Sequence, residues 1–179
     1  MMILMMRTMN KNKMSVLSKI NKVSKIANTA KKHSEKVTKS IITSPKIYKP
    51  VGPYSQAILT NQTLYISGIL GLNSKSKMAC GVEEQTKQVM ENMKHVLKAG
   101  GASLESVIKT TILLARIEDF PTVNKIYSCY FPENSPARAT FQVAKLPLGA
   151  EVEIEAIALS GKLEITEGNS ADPCSNPCP

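Results

Sequence analysis

The run Glu151-Val152-Glu153-Ile154-Glu155-Ala156 alternates acid and apolar residue without a break, and nothing else in the chain restricts its fold so tightly. A period of two belongs to a β-strand, with Glu151, Glu153 and Glu155 on one face and Val152, Ile154 and Ala156 on the other. Three acids along one face are unfavourable unless solvent, cations or a polar interface compensates. Either that face is simply wet, or one of the three orients or deprotonates a water.

The remaining elements are read from the same kind of pattern. A strand over Ala57–Leu59, a turn at Asn61-Gln62 and a strand over Leu64–Leu70 form a β-hairpin. Gly68 and Gly71 interrupt its second strand, which points to a bulge or to a group approaching the backbone closely. From Glu83 to Ala99 the period becomes helical, with Val82, Thr86, Val89, Met93 and Leu97 on one stripe. Glu83 and Glu84 suit the positive first turn, Lys98 suits the negative end, and Gly100-Gly101 terminates the helix. Val107–Leu114 is β-branched and apolar, a buried strand. Asp119 is a candidate N-cap with Pro121 in the first turn of a second helix, which runs through Tyr130 until Pro132 stops it. Two last strands, Ala139–Ala144 and Val152–Leu159, flank the turn Pro147-Leu148-Gly149-Ala150. The order β-β-α-β-α-β-β predicts an α+β domain in which one mixed sheet carries both helices on one face. The other sheet face is left without a cover and is expected to be hidden in a closed oligomer.

With 179 residues the chain is long enough for one well-buried domain and short for two. That domain is expected over residues 47–163, entered through the rigid, extended Lys49-Pro50-Val51-Gly52-Pro53-Tyr54. Residues 1–46 read as a basic leader and 164–179 as a disordered C-terminal tail. The net charge of +9 belongs to the leader: residues 1–47 hold eleven Lys or Arg against the single acid Glu35, whereas 48–179 hold twelve basic and thirteen acidic side chains. Within residues 14–30, Met14, Leu17, Ile20, Val23, Ala27 and Ala30 recur at helical spacing, with Lys19, Lys22 and Lys25 largely off the stripe. A basic, acid-poor amphipathic segment of this kind is suited to mitochondrial targeting. The alternatives are a disordered extension or a working start further in. Location in the mitochondrial matrix is expected if the leader targets, and in the cytoplasm otherwise.

Composition and spacing also exclude. Direct nucleic-acid binding is not expected, because the basic leader has no aromatic to stack on bases and the domain shows no basic cluster. Cys80, Cys129, Cys174 and Cys178 lack zinc-site spacing, so no metal is expected. No window holds the roughly eighteen apolar residues of a membrane span. Phosphate-cradling glycine loops, a Gly-x-Ser-x-Gly elbow, His-Glu-x-x-His and Cys-x-x-Cys are all absent. His95 has no Ser, Cys or Asp at triad-like spacing and reads as an ordinary helix residue.

Against that background Arg138 stands out. It follows a Pro-containing loop at the mouth of a strand, and its planar fork binds a carboxylate in bidentate fashion better than lysine can. On its own, a surface charge or a salt-bridge partner reads equally well. Tyr54 occupies a fixed, exposed loop position from which its phenol could bind a substrate or a neighbouring chain. Asn124 either lines a site or fixes a loop.

Taken together, Gly52-Pro53-Tyr54-Ser55-Gln56-Ala57, Tyr65-Ile66-Ser67-Gly68, Val123-Asn124, Tyr127, Pro136-Ala137-Arg138, Leu146-Pro147 and Val152-Glu153-Ile154-Glu155-Ala156-Ile157-Ala158 resemble the YjgF/YER057c/UK114 family, the RidA reactive-intermediate deaminases. The resemblance runs from about Ile47 to Leu163. It implies a chorismate-mutase-like fold assembled as a homotrimer around a central barrel, with ligand clefts between subunits. It further implies cofactor-free hydrolysis of 2-iminobutanoate and 2-iminopropanoate, released by pyridoxal-phosphate dehydratases, to 2-ketoacids and ammonia. Arg138 then grips the substrate carboxylate and Glu153 positions the attacking water. Tyr54 closes the cleft, and Ser67, Gly68, Asn124 and Thr140 line it. Two departures are visible: Ile69 stands where many members carry glutamine, and Thr140 where some carry cysteine. Rival readings are a non-catalytic trimer that binds small ligands or proteins, and a translation inhibitor with endoribonuclease activity.

Overall fold

The computed structural model describes residues 37–166. The amphipathic segment at 14–30, Cys174 and Cys178, and the tail from residue 167 lie outside the described residues. Among the described residues six strands and two α-helices follow one another: β1 (Lys39–Ile42), β2 (Ala57–Thr60), β3 (Thr63–Leu70), α1 (Gly81–Ala99), β4 (Val107–Leu114), α2 (Phe120–Tyr130), β5 (Ala137–Gln142) and β6 (Val152–Leu159). They form one sheet in the order β1-β2-β3-β6-β4-β5. Every neighbouring pair is antiparallel except β4 and β5, which run parallel. The mixed sheet follows from connectivity, since α2 supplies the crossover that a parallel pair requires.

Both helices cover the face predicted from the sequence. Val152, Ile154, Ala156 and Ala158 of β6 join Leu64, Ile66 and Ile112 beneath Val89, Met93, Val96 and Leu97 of α1 and Val123 and Tyr127 of α2. Acids open α1 and Lys98 closes it, as its dipole favours. The buried stripe of α1 is wider than the apolar period and takes in Gln85, Thr86 and Asn92. Those polar groups are satisfied by reaching the backbone: Asn92 donates to Leu70 O (3.1 Å) and Leu72 O (2.8 Å), while Gln85 accepts from Glu151 N (2.8 Å).

The opposite face divides into two zones. At one end Tyr48, Leu70, Leu72, Leu146 and Ala150 form a second apolar cluster. The rest is open, and the strand register lines up Ile41, Ile58, Tyr65, Ile157 and Lys109 across five strands. Ile41 is 68% exposed and Tyr65 48%. A shallow recess of about 430 Å³ opens there, with Lys109, Thr111 and Glu155 on its floor.

Three expectations change. The sheet begins at Lys39, inside the stretch assigned to the leader, because β1 is a four-residue edge strand whose Lys-Ser-Ile-Ile sequence carries no readable alternation. Asp119 takes the N-cap position expected of it, but its side chain makes no capping hydrogen bond: a 3₁₀ turn over Ile117–Asp119 precedes α2, and the Asp119 carboxylate binds Arg116 at 2.9 and 3.2 Å instead. The penultimate strand starts and ends two residues earlier than its apolar pattern suggested, since pairing with β4 rather than hydrophobicity sets its limits.

Candidate active site

Glu153 points away from the helices, from the sixth strand onto the third. The register between β3 and β6 slips between Ile66 and Ile69, and Gly68 lies in that bulge. A Cβ built on Gly68 would fall within the carboxylate of Glu153, with Cδ at 2.7 Å and Cγ at 3.1 Å. Both alternatives read from the interrupted strand therefore hold at once: the bulge turns bare backbone toward the acid, and the missing side chain makes room for it. Glu153 is half-buried, and burial pushes its pKa above the usual carboxylate range, with the charge of Glu155 adding to the rise. No salt bridge among the described residues reaches it.

Tyr54, Ser67, Val51, Leu70 and Pro147 complete the walls of this recess, whose volume is about 200 Å³. Tyr54 is 41% exposed, and its phenol oxygen accepts from Val51 N at 3.3 Å. Ser67 Oγ donates to Ser55 O at 2.7 Å, so its proton is committed within the chain and only its lone pairs face a ligand. Ile69 is buried in the main core opposite Ile154. A glutamine at that position would face apolar packing rather than open recess.

Arg138 belongs to a second constellation. Its guanidinium carbon lies 4.9 Å from the ring centre of Tyr127 and 5.7 Å from that of Phe120. The two rings occupy positions i and i+7 of α2, with Asn124 between them at i+4, so all three share one stripe of the helix. Stacking of this kind holds a planar cation in place while its N–H groups remain available. Tyr127 is itself anchored by a 2.8 Å hydrogen bond with Thr110. Among the described residues Arg138 has no salt-bridge partner. Thr140 follows on the same face, and its hydroxyl oxygen is sealed from solvent and has no hydrogen-bond partner among the described residues.

The two constellations face opposite ways. Arg138 is registered opposite Thr110, which is buried under α2, whereas Glu153 is registered opposite Leu113, which packs in the second cluster. Tyr54, Ser67, Gly68 and Glu153 thus come together on one side of the sheet, and Arg138, Asn124 and Thr140 lie on the other, at its β5 edge. Sequence reasoning assigned no role to Phe120 and Tyr127 as the rings that hold the cation. Their spacing with Asn124 was the signal that could have revealed it.

The sequence model of the family described as Endoribonuclease L-PSP matches residues 44–160. A human protein named 2-iminobutanoate/2-iminopropanoate deaminase is 50% identical over 125 residues, covering 69% of this chain and 91% of its own. The Arabidopsis thaliana protein named Reactive Intermediate Deaminase A, chloroplastic, is 52% identical over 124 residues, covering 68% and 66%. Among solved structures, RidA from the Antarctic bacterium Psychrobacter sp. PAMC 21119 superimposes with a TM-score of 0.66 at 40% identity, covering 67% of this chain and 98% of its own. E. coli TdcF with bound serine superimposes with a TM-score of 0.66 at 30% identity, covering 68% and 99%. Fold, motifs and relatives agree, and the chain belongs to the Endoribonuclease L-PSP family, the YjgF/RidA family that its residues resemble.

Proposed function

We propose that this protein is a hydrolytic deaminase that converts 2-iminobutanoate and 2-iminopropanoate to 2-ketoacids and ammonia. One observation carries the reading: a chain that is 50% identical over 125 residues to a protein named for that activity holds, among the described residues, a guanidinium without a carboxylate partner and a carboxylate without a cation partner. A small anion with an electrophilic carbon is the ligand that needs both.

The chemistry asks little of the protein. The iminium carbon of the substrate is already electrophilic, so orientation and one proton acceptor suffice. Arg138 holds the substrate carboxylate in a fork. Glu153 takes a proton from a water as its oxygen bonds to C2, giving a carbinolamine. The same proton passes to the nitrogen; Glu153 then takes the hydroxyl proton as C=O forms and the C–N bond breaks, and it hands that proton to the departing ammonia, leaving the 2-ketoacid behind. A carboxylate with a raised pKa is the better proton shuttle for this sequence, because it accepts the proton more readily from water.

Since Arg138 and Glu153 face opposite sides of one sheet, a single chain does not bring them to one substrate. The reading therefore includes a homotrimer with sheets around a central barrel and clefts between subunits, with Tyr54, Ser67 and Gly68 from one copy and Arg138 and Asn124 from the next. The row from Ile41 to Lys109 supports it, being the kind of open, largely aliphatic face that a closed oligomer covers. The substrate would come from pyridoxal-phosphate dehydratases acting on threonine or serine. For location, the basic leader is taken as a mitochondrial targeting segment, with cytoplasm as the alternative. No helix among the described residues is long and apolar enough to cross a membrane.

The test couples the full chain to threonine dehydratase and follows 2-ketoacid and ammonia release from freshly generated iminobutanoate. Release faster than in the dehydratase-only control, lost in Arg138→Ala, is expected. Binding of the ligand without acceleration would leave a binding protein in its place. RNA cleavage that survives rigorous purification and falls in Glu153→Gln would support the nuclease reading instead.

A further inference from the structure

Tyr48 belongs to neither constellation, yet it is 3% exposed and fixed at both ends. Its phenol oxygen accepts the amide of Leu70 at 2.8 Å, and its backbone carbonyl accepts Gln56 Nε2 at 3.0 Å. Gln56 is likewise buried, and also donates to Ser44 O at 3.3 Å and accepts from Ser44 N at 2.6 Å. The segment from Ser44 to Tyr48 is therefore strapped across the end of β3.

What the strap holds is the far side of the bulge. Leu70 is the cross-strand partner of Glu153, and Gly68, two residues earlier, is the seat on which the carboxylate lies. A bulge leaves ladder groups without their regular partners and bends the strand, and a buried amide without an acceptor is costly. The phenol supplies an acceptor where the bulge ends, which fixes the position from which β3 resumes pairing. It also walls a small space shared with Pro50, Tyr54, Ser67 and Gly68.

We propose that Tyr48 is a positioning residue for the reaction: through the Leu70 amide it sets the bulge that seats the Glu153 carboxylate. The inference rests on the deaminase reading and deepens it. Tyr48 does not exchange protons in turnover, because burial, with Tyr54 and Glu153 adding, pushes its phenol up to about 12. Its contribution is geometric and dielectric. Removing the hydroxyl loosens the bulge and takes one polar group from the surroundings of a carboxylate already raised by burial.

The test compares wild type, Tyr48→Phe and Glu153→Gln in the coupled assay, with kcat, KM and the pH profile of kcat measured for each. For Tyr48→Phe the expected result is a fall in kcat on the order of tenfold with KM within about twofold, and an acid limb displaced to higher pH. Should the phenylalanine variant not fold, 3-fluorotyrosine at position 48, a weaker acceptor of the same shape, is expected to give a smaller change in the same direction. Wild-type kcat and pH profile in the substituted protein would overturn the proposal, as would a loss of activity that tracks lowered thermal stability with the acid limb unmoved. If wild type releases 2-ketoacid no faster than the dehydratase-only control, the deaminase reading fails first and carries this proposal with it; if Glu153→Gln matches an accelerated wild type, the deaminase reading stands and this proposal, which acts through Glu153, fails. If only Glu153→Gln is impaired, the proposal alone fails.

Discussion

Glu153 is a carboxylate kept at a disadvantage. Its proton is held more tightly in the folded chain than in the unfolded one, because burial and Glu155 both disfavour the charge. Its contribution to stability is therefore greatest below the ordinary carboxylate range, falls as pH rises toward the raised value, and stays low above it. Glu153→Gln is accordingly expected to abolish turnover while raising the melting temperature near neutral pH, and the gain should vanish in acid. Calorimetry across pH checks it. Gly68→Ala is expected to lower kcat on the order of 10²-fold, because the new methyl displaces the carboxylate. Arg138→Lys keeps the charge but loses the fork and the stacking on Tyr127, and kcat/KM should fall by about 10- to 100-fold, chiefly through KM. At this scale the sequence was generous about chemistry and poor about contacts. Glu153 and Arg138 were visible as residue types in a pattern, whereas the rings that cradle Arg138 and the phenol that braces Leu70 depend on which elements meet.

The elements were legible wherever period and punctuation agreed. Residues 83–99 and 152–159 fall where their stripes placed them, with boundaries differing by no more than two residues. The two strands that departed from expectation share a cause, in that long-range pairing overrode a weak local signal. The first strand has four residues and the fifth shows no buried apolar face, its residues being exposed or half-buried. Both are edges of the sheet, where a strand needs only one neighbour. Gly71 shows how closely the layers meet, since a Cβ there would lie 2.7 Å from Cα of Gln85 in the first helix. Backbone cannot swing aside as a side chain can, so Gly71→Ala is expected to destabilise by about 1–3 kcal/mol, measurable by denaturant unfolding. Thr140→Val has the opposite sign. Deleting a buried hydroxyl that has no partner among the described residues should stabilise the chain by about 1 kcal/mol and leave turnover unchanged, whereas a rise in KM would support the ligand-binding role expected of it.

For the whole molecule, one sheet separates Arg138 from Glu153, the two groups to which the proposed reaction is assigned. The sequence suggested an oligomer from the uncovered face alone, but it could not show that Arg138 and Glu153 point in opposite directions, because that follows from the register of three strands. We propose that each catalytic centre draws its arginine and its glutamate from different copies. Mixing two inactive variants tests this most directly. Arg138→Ala and Glu153→Gln chains are refolded together, and assemblies containing both are identified by native mass spectrometry and assayed for iminoacid hydrolysis. In a trimer that holds both variants, about a third of the centres formed between adjacent copies receive both intact residues, so activity near a third of wild type is predicted from two proteins that are each inert. Hybrids that are assembled yet as inactive as their parents would contradict the account, since both residues would then have to come from the same chain.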